Sequence, residues 1–374
     1  MRSRSKRKRN LKKILVLVSD VDSSEMLERI VKDLHDSELL IKVVAIGNPE
    51  MKLVGALRDF NIQVKVIRKR RKHLLPLMVF PVVREFLYFR PNISFASGQY
   101  ASFIGISIAF LFHTRTRIFI RHHTNSNSRF NLRSGIWVDK INNQAATKIV
   151  AVSRIVQKTL VDDENVALEK VTVIPNGIDT AHFLQTRKDP EKENHNKDEI
   201  FKIGVVSRIT QVKGVEYIAE AFVKFNTVHP NSHLEIVGAF ADSYNKVVGK
   251  LSQLDSDSYT LSETTNSVQN FLSSLDVFVH VPIGPIEEAF GLVYLESLAS
   301  GIPTVFTVSG VLHEIVELDR FTLLVPHKDS NAIFRQLLAI REATYPKREF
   351  LPEDLLSRFS LDQMSKSYLK LLRG

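Results

Sequence analysis

The feature that most limits the fold of this chain is an alternation. Short, apolar, β-branched runs at Lys13 to Val18, Ile41 to Ile46, Gln63 to Ile67, Ile93 to Ala96, Arg117 to Ile120 and Lys148 to Val152 alternate with stretches at helical spacing, such as Met26, Ile30, Val31 and Leu34. Continuous apolar strands separated by helices imply a parallel sheet covered on both faces. The pattern then restarts. Phe201 to Val206, His233 to Val237, Asp276 to Val281 and Pro303 to Thr307 read as strands of a second sheet, with Val215, Ile218, Phe222 and Phe225 on one face of an intervening helix. The fold class is therefore α/β with two doubly wound parallel sheets, and 374 residues suffice for two domains. Gln185 to Asp198, polar or charged almost throughout, reads as a surface loop near the junction. A cleft between two such domains is a natural ligand site.

Charge is distributed unevenly between the two halves. Residues 1 to 150 hold 28 Lys and Arg against 11 Asp and Glu, whereas the remainder holds 23 against 30. Basic residues cluster from Arg2 to Lys13 and from Arg68 to Lys72, the second leading into the apolar stretch Leu74 to Phe80. Cations beside apolar side chains suit an anionic membrane surface. The competing reading is a solvated basic tail and a buried helix. No recognition module accompanies the charge, so nucleic acid is not an expected partner. No Cys is present, which excludes disulfides, thiolate nucleophiles and cysteine-ligated zinc. The apolar run at Ile14 to Val18 is too short for a signal peptide, and Ala101 to Phe112 too short to span a membrane. A cytoplasmic protein, peripheral on the inner membrane face, is the expectation.

Chemistry concentrates after residue 200. Strand Phe201 to Val206 leads through Arg208 to Lys213-Gly214 and a helix start, where unsatisfied N–H groups and two side-chain cations converge on any anion. Asp276 to Val281 repeats the device, leading to Glu288, the Phe290-Gly291 step, and a helix that carries Glu296 with Leu292, Leu295, Leu298 and Ala299 toward the core and ends at Gly301. Backbone N–H groups of Phe290, Gly291 and Leu292 would face a ligand there. Two cations for a diphosphate and two carboxylates for sugar hydroxyls make up a nucleotide-sugar site.

With these residues in view, the chain resembles a retaining glycosyltransferase of the GT-B fold, in the large family four that uses nucleotide-activated sugars. The resemblance rests on Ile149-Val150-Ala151-Val152-Ser153, Val173 to Asp179, Arg208 with Lys213-Gly214, Ile236-Val237-Gly238, and Glu288 through Glu296 with Ala299, Gly301 and Pro303. Before residue 149 it is architectural only. It implies two Rossmann-like domains facing a cleft: 1–178 on the acceptor side, with helix 361–374 crossing back, and 179–360 binding the nucleotide sugar. It further implies that Arg208 and Lys213 bind the donor diphosphate, Glu296 the ribose, and Glu288 the transferred sugar. Phe290, Gly291 and Leu292 would contact the donor through the backbone. His123 would lie beside the reacting sugar, with adjacent His122 as the competing candidate. The donor would be a UDP-sugar, the acceptor a glycan or lipid-linked hydroxyl, and no metal or further cofactor would be needed.

The chain departs from the family pattern in three places. Ser19 to Ser24 replaces a Gly-rich loop, Ser309 to Glu314 is one residue longer than Gly-Gly-x-x-Glu, and His280-Val281-Pro282-Ile283 replaces the usual Pro-Ser. Asp20-Val21-Asp22 and Asp255-Ser256-Asp257 have metal-binding spacing but read as a helix cap and a turn. Two alternatives stay open: a nucleotide-sugar epimerase or hydrolase of the same fold, and a non-catalytic membrane-surface binding protein.

Overall fold

The computed structural model describes residues 12–19, 21–37, 39–68, 75–124, 132–185, 199–344 and 349–373, with the side chains of residues 75, 76, 132 and 133 excepted. The chain divides into two compact units, Met1–Pro175 with Met364–Gly374, and Asn176–Gln363. In the first unit, β1 (Lys13–Ser19), β2 (Leu40–Gly47), β3 (Val64–Arg68), β4 (Ile93–Ser97), β5 (Thr116–Arg121), β6 (Lys148–Ala151) and β7 (Val171–Val173) form one parallel sheet in the order β3-β2-β1-β4-β5-β6-β7. In the second, β8 (Phe201–Val206), β9 (Ser232–Val237), β10 (Tyr259–Ser262), β11 (Val277–His280), β12 (Thr304–Phe306) and β13 (Leu323–Leu324) follow the order β10-β9-β8-β11-β12-β13. Strand order reverses between β1 and β4 and again between β8 and β11. In open parallel sheets, ligands bind beyond the carboxyl ends of the strands at such a switch point.

The second unit is built around β8 and β11. Ile203, Val205, Val277 and Val279 are fully buried, and helix Val215–Val228 lays Val215, Ile218, Phe222 and Phe225 onto them. Its N-terminus is fixed by Gly214 at φ +69°, where a Cβ would stand 2.0 Å from the Val281 carbonyl. Helix Leu292–Ser300 is capped by left-handed glycines at both ends, Gly291 and Gly301. Leu292 corrects the sequence reading: it is 38% exposed, because it is the first residue of its helix and precedes the buried stripe of Leu295, Leu298 and Ala299. The chain enters and leaves this unit side by side: the Ile178 N–H donates to the Phe359 carbonyl at 2.8 Å, and the Leu361 N–H returns to the Ile178 carbonyl at 3.0 Å. Helix Leu361–Arg373 then buries Met364, Tyr368 and Leu372 in the first unit, where the Tyr368 ring meets Phe95 edge-on.

Strands β7, β10 and β13 were not read from the sequence, and the strand expected at Asp276 to Val281 is shorter, at Val277–His280. Ser24, accepting from the Leu27 N–H at 3.2 Å, caps helix Glu25–His35. Asp20 lies outside the described residues, as do the loop from residue 186 to 198, the basic cluster through residue 11 and the second cluster beyond Arg68. Asp255 flanks a single 3-10 turn, Ser256–Ser258. Among the described residues no helix is long and apolar enough to cross a membrane.

Candidate active site

The loops after β8 and β11 emerge at the same edge of the second sheet, since these strands are parallel neighbours. The first loop is pinned to β9: Ser207 N–H donates to the Val237 carbonyl at 2.8 Å and Ile209 N–H to the Ala239 carbonyl at 3.0 Å. Gly238 is required at this crossing, because a Cβ would stand 2.0 Å from the Ser207 carbonyl. Arg208 therefore leaves the end of β8 from a fixed backbone, and its side chain is exposed with no ion-pair partner among the described residues. The Ile283 N–H donates to the Val212 carbonyl at 3.0 Å and so ties the second loop to the first, next to Lys213.

These constraints bring Lys213 and Glu288 together, with Nζ 2.6 Å from Oε1. His280, at the end of β11, reaches the same oxygen through Nε2 at 2.8 Å. Burial pushes the Glu288 carboxyl up, but the His280 hydrogen bond and the Lys213 charge outweigh it and hold its pKa at about 2. The acidic loop is clipped from behind: Ser309 Oγ accepts from the Glu288 N–H at 3.1 Å and donates to the Pro285 carbonyl at 3.1 Å. Gly310, at φ +59°, leaves room for this approach; a Cβ there would stand 2.9 Å from Glu288 Cβ and 2.5 Å from the Phe290 carbonyl.

Beyond Glu288 the chain turns through buried Phe290 and Gly291 (φ +84°) into helix Leu292–Ser300. No described group accepts a hydrogen bond from the N–H of Phe290, Gly291 or Leu292. Unpartnered donors at a helix start can receive an anion. Glu296, partly exposed, projects from the second turn of the same helix. Lys213 and Glu288 are thus in contact, while Arg208 and Glu296 stand on the elements flanking them.

His123 belongs to the first unit, just past β5. Its Nε2 lies 3.3 Å from Asp139 Oδ2, and Asp139 is itself held by the fully buried Arg121 at 3.2 Å. The Arg121 guanidinium also grips both oxygens of Glu164 and donates through Nε to the His123 carbonyl at 3.0 Å. His122 turns elsewhere, its Nε2 3.0 Å from Ser97 Oγ, and burial followed by the neighbouring His123 charge lowers its pKa to about 4. A cavity of about 760 Å³ opens beside Asp139, Lys140, Asn143, Glu164 and Lys170.

Sequence reasoning treated His280 only as a departure and missed the Arg121, Asp139 and Glu164 cluster. The signal for His280 was present: a histidine inside Val-Phe-Val-His-Val is a polar side chain at a core position, and a buried polar group needs a partner.

The pKa of Glu288 carries a sign. A carboxyl depressed from 4.5 to about 2 by folding contributes stability that is complete above about 4.5 and lost as pH falls through about 2. Chemical denaturation of the parent and Glu288→Gln should therefore give a stability gap that narrows steadily from pH 5 toward pH 2. A gap independent of pH would remove the ionised, paired Glu288 from the account.

The family described as glycosyl transferases group 1 matches residues 185–349, and glycosyltransferase family 4 matches residues 28–182. Alpha-monoglucosyldiacylglycerol synthase of Acholeplasma laidlawii is 30% identical over 193 residues, covering 48% of this chain and 46% of that protein. Capsular polysaccharide biosynthesis glycosyltransferase CapM of Staphylococcus aureus is 26% identical over 48% of each chain. The chain thus spans about half the length of these relatives. The crystal structure of Anabaena HepE with UDP-glucose superposes with a TM-score of 0.78 at 20% identity, covering 96% of this chain and 99% of that one. The two family matches are consecutive, and each falls largely on one of the two doubly wound units, so the chain belongs to the group 1, family 4 glycosyltransferases and has the GT-B fold.

Proposed function

We propose that the chain transfers a hexose from a UDP-sugar to a hydroxyl of a glycan or lipid-linked acceptor, with retention at the anomeric carbon. The observation that carries this reading is the meeting of Lys213 with Glu288 beside the unpartnered N–H groups of Phe290, Gly291 and Leu292. In this reading Lys213 and Arg208 neutralise the diphosphate as the glycosidic bond breaks, the N–H groups bind its oxygens, Glu296 accepts from the ribose hydroxyls, and Glu288 accepts from the hexose. Preorganised donors aimed at developing charge are the largest catalytic contribution open to such a site, and they make a metal unnecessary. Glu288 already shares its Oε1 between two donors, which suits a binding role better than nucleophilic attack. The acceptor then attacks from the face the phosphate leaves, and a phosphate oxygen takes its proton. In this reading His123, held by Asp139, also takes part in the reaction. The UDP-glucose bound by HepE and the glucosyl-diacylglycerol in the Acholeplasma relative's name support the donor and acceptor classes.

The test is a thermal-shift panel of UDP-glucose, UDP-galactose and UDP-N-acetylglucosamine, followed by donor turnover with and without candidate acceptors. A ligand that binds the folded state raises its apparent stability. Stabilisation by one UDP-sugar, with consumption that depends on acceptor, is the expected outcome. Consumption without acceptor would instead indicate an epimerase or hydrolase.

The same reading places the enzyme on an anionic membrane surface, at the cytoplasmic face. Helix Leu75–Phe89 turns Leu77, Phe80, Leu87 and Tyr88 outward on one face, with Phe80 72% and Tyr88 79% exposed. Phe110, Leu111 and Phe112, at the end of the adjacent helix, are exposed as well, and Phe112 stacks on the buried Phe86 at 6.1 Å. From Leu75 to Arg121 the sole acid is Glu85, which is buried and paired with Lys42 at 2.5 Å, so the charge left at the surface is cationic. Exposed apolar side chains on a segment of cationic surface charge favour anionic lipid. Co-sedimentation with phosphatidylglycerol vesicles should be lost in a Leu77→Ser, Phe80→Ser, Tyr88→Ser variant that still binds UDP. Undiminished sedimentation of that variant would assign membrane contact to another surface.

A further inference from the structure

We infer that His280 is a positioning residue that keeps Glu288 in place for the hexose when Lys213 turns to the diphosphate. The inference rests on the assignment of Glu288 to the transferred sugar, and it concerns a histidine that stands where the family pattern has Pro-Ser.

Lys213 and His280 share one acceptor, Glu288 Oε1, but differ in their freedom to leave it. Lys213 approaches on a flexible stem and has a second contact, with the Glu287 carbonyl at 3.4 Å. An anion at the helix start competes with Glu288 for the Lys213 protons, because an ammonium is a compact charge with three rotatable donors. His280 has no such alternative. It sits on β11, paired in register with Phe306 of β12, and is 2% exposed. The Tyr294 ring packs edge-on against it at 4.8 Å, and the Tyr294 hydroxyl donates to the Thr307 carbonyl at 3.3 Å. Its Nδ1 is buried and meets no partner. The tautomer that satisfies this environment carries its proton on Nε2, aimed at Glu288, since a proton on Nδ1 would have nothing to bond.

The consequence is a division of labour within one carboxylate. Oε1 is anchored by His280 from the rigid strand, and Oε2, which accepts from no described residue, stays available to a sugar hydroxyl. Lys213 is then free to share its charge with the diphosphate without releasing Glu288 to rotate. Positioning of this kind acts on recognition of the sugar and leaves the nucleotide contacts unchanged, which a purely structural role would not do.

The experiment measures the affinity of UDP and of the tightest-binding UDP-hexose among UDP-glucose, UDP-galactose and UDP-N-acetylglucosamine, for the full chain and its variants. His280→Leu should lose about tenfold of UDP-hexose affinity, the worth of roughly one hydrogen bond to a charged group, with UDP affinity unchanged. His280→Gln, whose amide can still donate to Oε1, should restore it, whereas the shorter His280→Asn should not. The Gln and Asn pair carries the test if the Leu variant does not fold. Equal weakening of UDP and UDP-hexose, or full retention of hexose affinity in His280→Leu and His280→Asn, would overturn the inference. Glu288→Gln separates the two levels: loss of the hexose increment there, with retention in the His280 variants, overturns the inference alone. An increment unchanged by Glu288→Gln overturns the assignment of Glu288 itself.

Discussion

Replacing Lys213 with Ala should lower kcat/KM by about a hundredfold, the cost of one donor lost from a site where negative charge develops. Two effects of Lys213 separate in this variant. As a catalytic cation, in the proposed reaction, it meets the diphosphate. As a structural cation, already 2.6 Å from Glu288, it helps keep a mostly buried carboxylate ionised. Removing it leaves Glu288 with His280 as the one remaining side-chain donor to its carboxylate among the described residues, and a buried polar group that loses a partner costs about 1–3 kcal/mol. Lys213→Ala should therefore lose both turnover and thermal stability. Arg208→Ala should lose turnover to a similar degree with little change in stability, because Arg208 is exposed and has no described ion-pair partner. Steady-state kinetics alongside a melting curve read both quantities. Undiminished turnover in both variants would rule out the diphosphate assignment.

The parts of the fold that the sequence conceals lie at the sheet margins. Strands such as β1 and β8 are legible because both faces are covered, so the chain must be apolar throughout. The strands that escape notice, β7, β10 and β13, each end a sheet. An end strand has one neighbour and partial cover, so Tyr259-Thr260-Leu261-Ser262 carries no continuous apolar run. The candidate site divides similarly. Residue types around Arg208, Lys213, Glu288 and Glu296 were readable because charged side chains beside glycines at helix starts have few packing roles. Their pairing was not, since Lys213 and Glu288 are brought together only by β8 and β11 being sheet neighbours at the switch point. Leu292 was misplaced for a local reason: helical periodicity assigns a face, but the first residue after Gly291 precedes the covered part of that face.

The cluster that supports His123 carries the second large effect. Arg121→Met should destabilise the first unit by about 3–5 kcal/mol, the range for breaking a buried ion pair from one side. The guanidinium is fully buried and bonds Asp139, Glu164 and the His123 carbonyl at once, so its loss leaves the buried Asp139 and the partly buried Glu164 without their cation. Asn143, which donates to Glu164 at 2.7 Å, cannot supply the missing charge. Urea unfolding followed by the fluorescence of Trp137, the one tryptophan in the chain and a residue of this unit, provides the measurement. Neutralising the partners as well, in Arg121→Met with Asp139→Asn and Glu164→Gln, should recover much of the loss, because the penalty belongs to the unpaired charges and less to the missing attraction. Turnover should not recover with it. Asp139→Asn removes the carboxylate that orients His123 Nε2, and Arg121→Met frees the His123 carbonyl, so a refolded triple variant still lacks a fixed imidazole. A triple variant that regains both stability and turnover would show that this cluster serves the fold alone and that His123 has no part in the reaction.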